Sequence, residues 1–168
     1  LIGPLTLQQW VAALLMIATV LRIAWIDLKI MRIPDHWNVL LAGLGIAYRL
    51  PFGDLDTLRA LAVGLATMAA FALLRWVHRR ISGRIGIGLG DVKFIGSAAV
   101  WFSPWNLPLF FMLASSTALL FSLVFLRGKS TALRNLRVPF GPFLGIALVL
   151  TWLSEVTSLF SLIPASSL

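Results

Sequence analysis

The sequence predicts an all-α fold, a polytopic helical bundle integral to a membrane, and three observations carry that prediction. Hydrophobic residues fill 60% of the 168 positions and charged residues only 12%, against about a quarter charged in soluble domains. The mean hydropathy is +0.95. Apolar runs at or near spanning length recur along the chain with short polar breaks between them, the pattern of a protein with most of its mass in lipid. The expectation is a single bundle and a single domain over residues 1–168, with about six transmembrane helices.

The first helix is expected over Leu7–Ile26. No basic stretch precedes it and no Ala-x-Ala-like site follows, so it reads as a span and not as a removed signal. A second helix is expected over Trp37–Leu50, with Gly43 and Gly45, and a third over Leu58–Val77, with Gly64, Ala62, Ala66, Ala69 and Ala70. Small residues at such spacings let helix backbones approach closely in lipid. The remaining helices are expected over Gly88–Phe102, Leu107–Leu126 and Phe140–Leu159. The second and fourth are short for a hydrocarbon core of about 30 Å, so flanking residues should extend them or they should meet water inside the protein. Trp25, Trp37, Trp76, Trp101 and Trp105 fall near helix ends, where interfacial anchors are expected. His36 and His78 read as interfacial too.

The net charge of +8 sits in the short connections. There it sets orientation and meets anionic headgroups, and it does not point to nucleic acid. Arg22, Lys29 and Arg32 flank the first connection. Arg75, Arg79, Arg80 and Arg84 flank the third, and Arg127, Lys129, Arg134 and Arg137 the fifth. In the second, Asp54 and Asp56 offset Arg49 and Arg59, and Ser103-Pro104-Trp105-Asn106 is uncharged. The positive-inside rule then puts connections one, three and five in the cytoplasm and both termini outside. With no cysteine, disulfides, thiolate metal sites and a cysteine nucleophile are excluded. With two histidines, a histidine-rich zinc site is not expected.

Asp91, in Gly88-Leu89-Gly90-Asp91-Val92-Lys93, opens an apolar stretch. A carboxylate at the centre of a spanning helix costs roughly 2.5–3.5 kcal/mol, so it reads as functional by default. Asp27 is similarly placed at the end of the first helix, and Pro139-Phe140-Gly141-Pro142 opens the sixth. The topology brings all three to the cytoplasmic side. Two converging carboxylates share a proton: the ionised one takes a proton from water while the protonated one polarises a peptide carbonyl. That chemistry is an aspartic endopeptidase with Asp27 and Asp91 as catalytic pair, needing neither cofactor nor metal.

Gly88 lies three residues before Asp91 and leaves space beside it, while Gly90 loosens the helix start. Pro139 and Pro142 lack backbone donors, favouring an irregular segment whose carbonyls hold an extended peptide. Asp35, after Pro34, reads as an N-cap of the second helix or as a substrate-site residue. Lys93 faces away from Asp91, either snorkelling to headgroups or serving the site. Asp54 and Asp56 read as loop and cap residues and Glu155 as an outer-face residue, beyond reach of the site.

The segment Gly88-Leu89-Gly90-Asp91-Val92-Lys93 resembles the GxGDxK signature of the type IV prepilin peptidases, within the GxGD intramembrane aspartyl proteases. Ile26-Asp27-Leu28-Lys29 followed by Ile33-Pro34-Asp35 is similar to that family's first motif, and Pro139-Phe140-Gly141-Pro142 to its third. Three motifs in order cover most of the hydrophobic chain. The resemblance implies removal of leaders from type IV prepilin or pseudopilin substrates at the cytoplasmic face of a bacterial inner membrane. Carried over by motif, the catalytic pair is Asp27 and Asp91, with Lys29 and Asp35 in the first motif, Gly88, Gly90 and Lys93 in the second, and Pro139, Gly141 and Pro142 in the third. Longer members carry a cysteine-bearing zinc segment and also methylate the new amino terminus. Neither the cysteines nor room for that segment is present, so the resemblance is to a short, protease-only form similar to those serving Tad-type pili. The competing classes are a proton-coupled transporter or channel component using the two acids as a relay, and an inactive assembly scaffold.

Overall fold

A computed structural model describes residues 6–83, 86–125 and 139–157. Six α-helices stand within them: α1 Leu7–Ile30, α2 Asp35–Arg49, α3 Asp54–Ser82, α4 Leu89–Ala98, α5 Leu107–Phe125 and α6 Gly141–Val156. Single 3-10 turns, Leu50–Phe52 and Pro104–Asn106, lead into α3 and α5. Among the described residues no strand occurs. The expected helices are thus present in order. The expected ends at Leu126 and Leu159, the cation Arg84, and the fifth-connection cations Arg127, Lys129, Arg134 and Arg137 lie outside the described residues.

Local chemistry fixes the ends of α1. Thr6 and Gln9 form a reciprocal capping box: the Thr6 hydroxyl accepts from the Gln9 N–H at 3.3 Å, and the Gln9 side chain accepts from the Thr6 N–H at 2.8 Å. Two otherwise orphaned donors are thereby satisfied. At the other end Met31 takes a left-handed conformation (φ 51°) and its N–H donates to the Asp27 carbonyl at 2.8 Å. The helix therefore runs one turn beyond the expected Ile26, and Asp27 lies inside its last turn.

Three segments, α1, α3 and residues 104–124, have the length and apolarity to cross a membrane. Their outward faces carry leucines and tryptophans such as Leu14, Leu65, Trp76 and Leu120. Helices α2, α4 and α6 are shorter, at 15, 10 and 16 residues. At 1.5 Å per residue α4 is only about 15 Å long, well short of the span expected over Gly88–Phe102. It is also the most enclosed element, packed against α2, α3 and α6, with every residue from Phe94 to Ala98 buried.

The chain leaves the helix after Ala98 because tertiary anchors hold Ala99–Phe102 in a turn. The Trp101 indole N–H donates to the Leu41 carbonyl at 3.0 Å and its ring stacks on Tyr48. Arg49 Nε donates to the Val100 carbonyl at 3.3 Å, filling an acceptor that the broken helix leaves open. Trp101 is therefore a core residue and not the interfacial anchor expected from its position. Trp25, Trp76 and Trp105 are exposed as expected.

Close backbone approach organises the bundle. A Cβ on Gly64 would stand 2.8 Å from the Gly96 carbonyl oxygen, and one on Gly96 would stand 2.6 Å from the Met68 Cβ. Helices α3 and α4 thus cross glycine to glycine. At the end of the bundle away from Asp27 and Asp91, a polar clasp ties α2, α3, α6 and the turn before α5. Arg49 pairs with Asp56 at 3.2 Å and with Glu155 at 3.5 Å. Glu155 Oε2 accepts from the Ser103 N–H and the Asn106 side-chain amide, both at 2.6 Å.

Replacing Gly64 by alanine is expected to destabilise the detergent-solubilised protein by about 1–3 kcal/mol, read from its denaturation midpoint. Gly43→Ala, where a Cβ meets nothing within 4 Å, is expected to leave that midpoint unchanged or raised.

Candidate active site

The end of the bundle opposite the clasp is where three chain segments distant in sequence meet. Asp27 comes from the last turn of α1, Asp91 from the first turn of α4, and Gly141 from the first residue of α6. They border or adjoin one cavity of about 1060 Å³.

Asp27 is only 4% exposed. Its Oδ2 accepts the Gly141 N–H at 2.8 Å, so the carboxylate sits on the open N-terminus of α6, where unpaired backbone donors and the helix dipole favour negative charge. Gly141 must be glycine for this seat: a Cβ there would stand 2.8 Å from Asp27 Oδ2 and 3.1 Å from its Cγ. Asp91 is half-buried. It lies over Gly88, where a Cβ would come within 2.7 Å of Asp91 Oδ2. The expectation that Gly88 clears space beside Asp91 holds. Both carboxylates line the cavity.

The second glycine of that segment works differently from its expected role. Gly90 is helical, and a Cβ on it would meet Ile33 Cβ at 3.0 Å and the Ile33 backbone N and O at 3.2 and 3.3 Å. It allows α4 to press against the chain leaving α1, and it does not loosen the helix.

Asp35 is the first residue of α2, with Pro34 at the cap position, so it is not the N-cap. Its carboxylate pairs with Lys93 Nζ at 2.6 Å, joining α2 to α4 at the cavity rim. Lys93 therefore neither snorkels nor points away; it borders the cavity beside Asp91. Beneath it the Ser97 hydroxyl lies 2.9 Å from the Asn38 carbonyl and 3.0 Å from the Lys93 carbonyl.

Lys29 is not brought to the site. It lies over the Trp25 ring, 4.5 Å from its centroid, as an exposed interfacial pair. Pro139 borders the cavity. Pro142 occupies the first turn of α6, where a missing N–H costs nothing. The irregular, open-carbonyl segment expected here is largely absent, because the Phe140 carbonyl already accepts from the Phe143 and Leu144 N–H groups at 3.1 Å.

Sequence reasoning missed Arg75. Its Nη1 donates to the Ile87 carbonyl at 2.8 Å, pinning the segment before Asp91 to α3, and its side chain borders the cavity. The available signal was its position two residues inside the expected end of the third helix, where a loop cation does not belong. Phe71 and Phe111, which also line the cavity, carried no sequence signal beyond hydrophobicity.

The rim pair Lys93–Asp35 is part-exposed, at 31% and 69%. A double-mutant cycle of Asp35→Asn and Lys93→Met on unfolding in mixed micelles is expected to give a coupling below about 1 kcal/mol.

Comparison with known proteins adds to this geometry. Residues 14–123 match the type IV leader peptidase family. Over 150 residues the chain is 29% identical to a prepilin leader peptidase/N-methyltransferase of Aeromonas salmonicida, covering 87% of this chain and 50% of that protein. Over 159 residues it is 32% identical to a protein of the same name from Dichelobacter nodosus, covering 91% and 52%. A leader peptidase HopD of Escherichia coli is 34% identical over 134 residues, covering 77% of this chain and 83% of that protein. The chain thus spans about half the length of the first two relatives. No solved structure matches it significantly.

Proposed function

This chain belongs to the type IV leader peptidase family, and on that premise we propose that it is an aspartic endopeptidase that removes leader peptides from type IV prepilin or pseudopilin substrates. The observation that carries the reading is the convergence of Asp27 and Asp91, 64 positions apart in sequence, on one cavity at one end of a membrane bundle. Relatives named as prepilin leader peptidases support the substrate class.

The chemistry follows from the two environments. In this reading Asp27, which accepts the Gly141 N–H, serves as the base that takes a proton from water. Asp91 carries the proton of the pair and donates a hydrogen bond to the scissile carbonyl. As water attacks, Asp91 passes its proton to the carbonyl oxygen, giving a tetrahedral diol. In its collapse Asp27 gives the proton taken from water to the departing amine and a diol hydroxyl returns one to Asp91, restoring the singly protonated pair. No covalent enzyme intermediate forms. By the distribution of loop cations, the cavity end faces the cytoplasm and both termini lie outside a bacterial inner membrane.

Asp27→Asn and Asp91→Asn, each co-expressed with a prepilin, are expected to lower leader removal by at least about 100-fold, with membrane insertion retained. Normal processing by either variant would remove the dyad mechanism. Gly141→Ala is expected to cut turnover by up to about 100-fold through misplacement of the Asp27 carboxylate.

Turnover against pH should be bell-shaped, since one proton must reside on the pair. It falls on the acid side as both carboxylates become protonated and on the alkaline side as both ionise. A rate independent of pH through the acid range would overturn proton sharing.

A further inference from the structure

The cavity does not end at the carboxylates. Its lining extends to Phe71 on α3 and to Phe111, Ala114 and Ser115 on α5. Helix α3 is packed on α2 and α4, and α5 is packed on α6, but α3 and α5 form no comparable interface with each other. Where they face one another, the Phe71 and Phe111 rings stack with centroids 4.9 Å apart. Both helices have spanning length and lie mostly exposed, so this seam opens to lipid.

Resting on the peptidase reading above, we infer that the α3–α5 seam is the lateral gate through which the apolar helix of a membrane-anchored substrate reaches the carboxylates, with the Phe71–Phe111 stack as its closure. The occupant is a single apolar transmembrane segment carrying its scissile bond at one end. Such a peptide must keep its helix in lipid while its cleavage point sits beside Asp27 and Asp91, because unpaired backbone polar groups are not tolerated in the hydrocarbon. The other helix pairs around the site, α1 with α6, α1 with α2, α2 with α4 and α3 with α4, are packed interfaces. The seam offers a route at which the Phe71–Phe111 ring contact is worth about 0.5–1.5 kcal/mol beyond its buried area.

Arg75 and Ser115 stand four residues, one helical turn, from Phe71 and Phe111 respectively. They border the same cavity. Polar groups thus meet the peptide where it leaves helix for the site, and rings meet it where it is apolar.

The absence of cysteine makes the test direct. Phe71→Cys/Phe111→Cys is joined by a short reversible bis-thiosulfonate reagent in proteoliposomes. Two substrates are compared with the same protein after reduction: a full-length prepilin in the bilayer, and a synthetic peptide covering the leader and the first residues beyond the cut. Cross-linking should slow cleavage of the full-length substrate at least tenfold while peptide cleavage changes less than twofold, and reductant should restore the former. Equal cleavage of both substrates, or equal loss of both, would overturn the gate. An unsubstituted protein that cuts neither substrate would instead remove the peptidase reading and the gate with it.

A second measurement is independent of turnover. A benzoylphenylalanine at position 111 in the Asp91→Asn background should photo-cross-link the apolar segment of bound prepilin, whereas the same group at exposed Trp10 on α1 should not. Adducts of equal yield at both positions, or none at position 111, would count against the seam.

Discussion

The structure depends on one hydrogen bond: the backbone N–H of Gly141 on the carboxylate of Asp27, 2.8 Å away and nearly sealed from solvent. A buried acid without such a partner costs several kcal/mol. Here the N-terminus of α6 supplies a donor and a favourable dipole together. The bond joins residues 114 positions apart and sets how α1 meets α6. Val20 closes against Gly145 farther along the same contact, where a Cβ would collide with Val20 Cγ1. Bulk at Gly141 would expel the carboxylate from its seat, so packing and chemistry at this point are the same requirement.

The glycines around the cavity each answer a different steric demand. Gly141 admits Asp27, Gly88 admits Asp91, and Gly90 admits the backbone of Ile33. Together they let three helix ends crowd into a space that side chains would fill. The same economy of volume recurs at the crossing of Gly64 and Gly96, which draws α4 into the bundle. Short α4 can then place Asp91 at the cavity from within the bundle.

Much of this was legible in the sequence. Hydropathy gives six apolar segments in their observed order because lipid demands uninterrupted runs, and the cost of an isolated carboxylate singles out Asp27 and Asp91. What hydropathy cannot distinguish is lipid from protein interior. The stretch through Trp101 and Phe102 therefore reads as a continuing span, although it is a buried turn held by Leu41 and Arg49. Side-chain partners across helices are equally hidden. Lys93 and Asp35 meet over 58 positions, and Arg75 reaches the Ile87 carbonyl, through geometry that no local spacing encodes. Lys29 shows the converse: it lies two residues from Asp27, yet the helical turn carries it to the outer surface.

The abrupt end of α4 has a bearing on bioenergetics. Between the chamber and the Arg49–Glu155 clasp lies a plug of Phe94, Trp101, Phe102 and Phe110, each at most 1% exposed, with Tyr48 and Trp152 edge to face beside it. A chamber that admits water at one surface and stops at an aromatic floor is a blind well. Ionisable groups can stand in it without short-circuiting the electrochemical gradient across the surrounding bilayer.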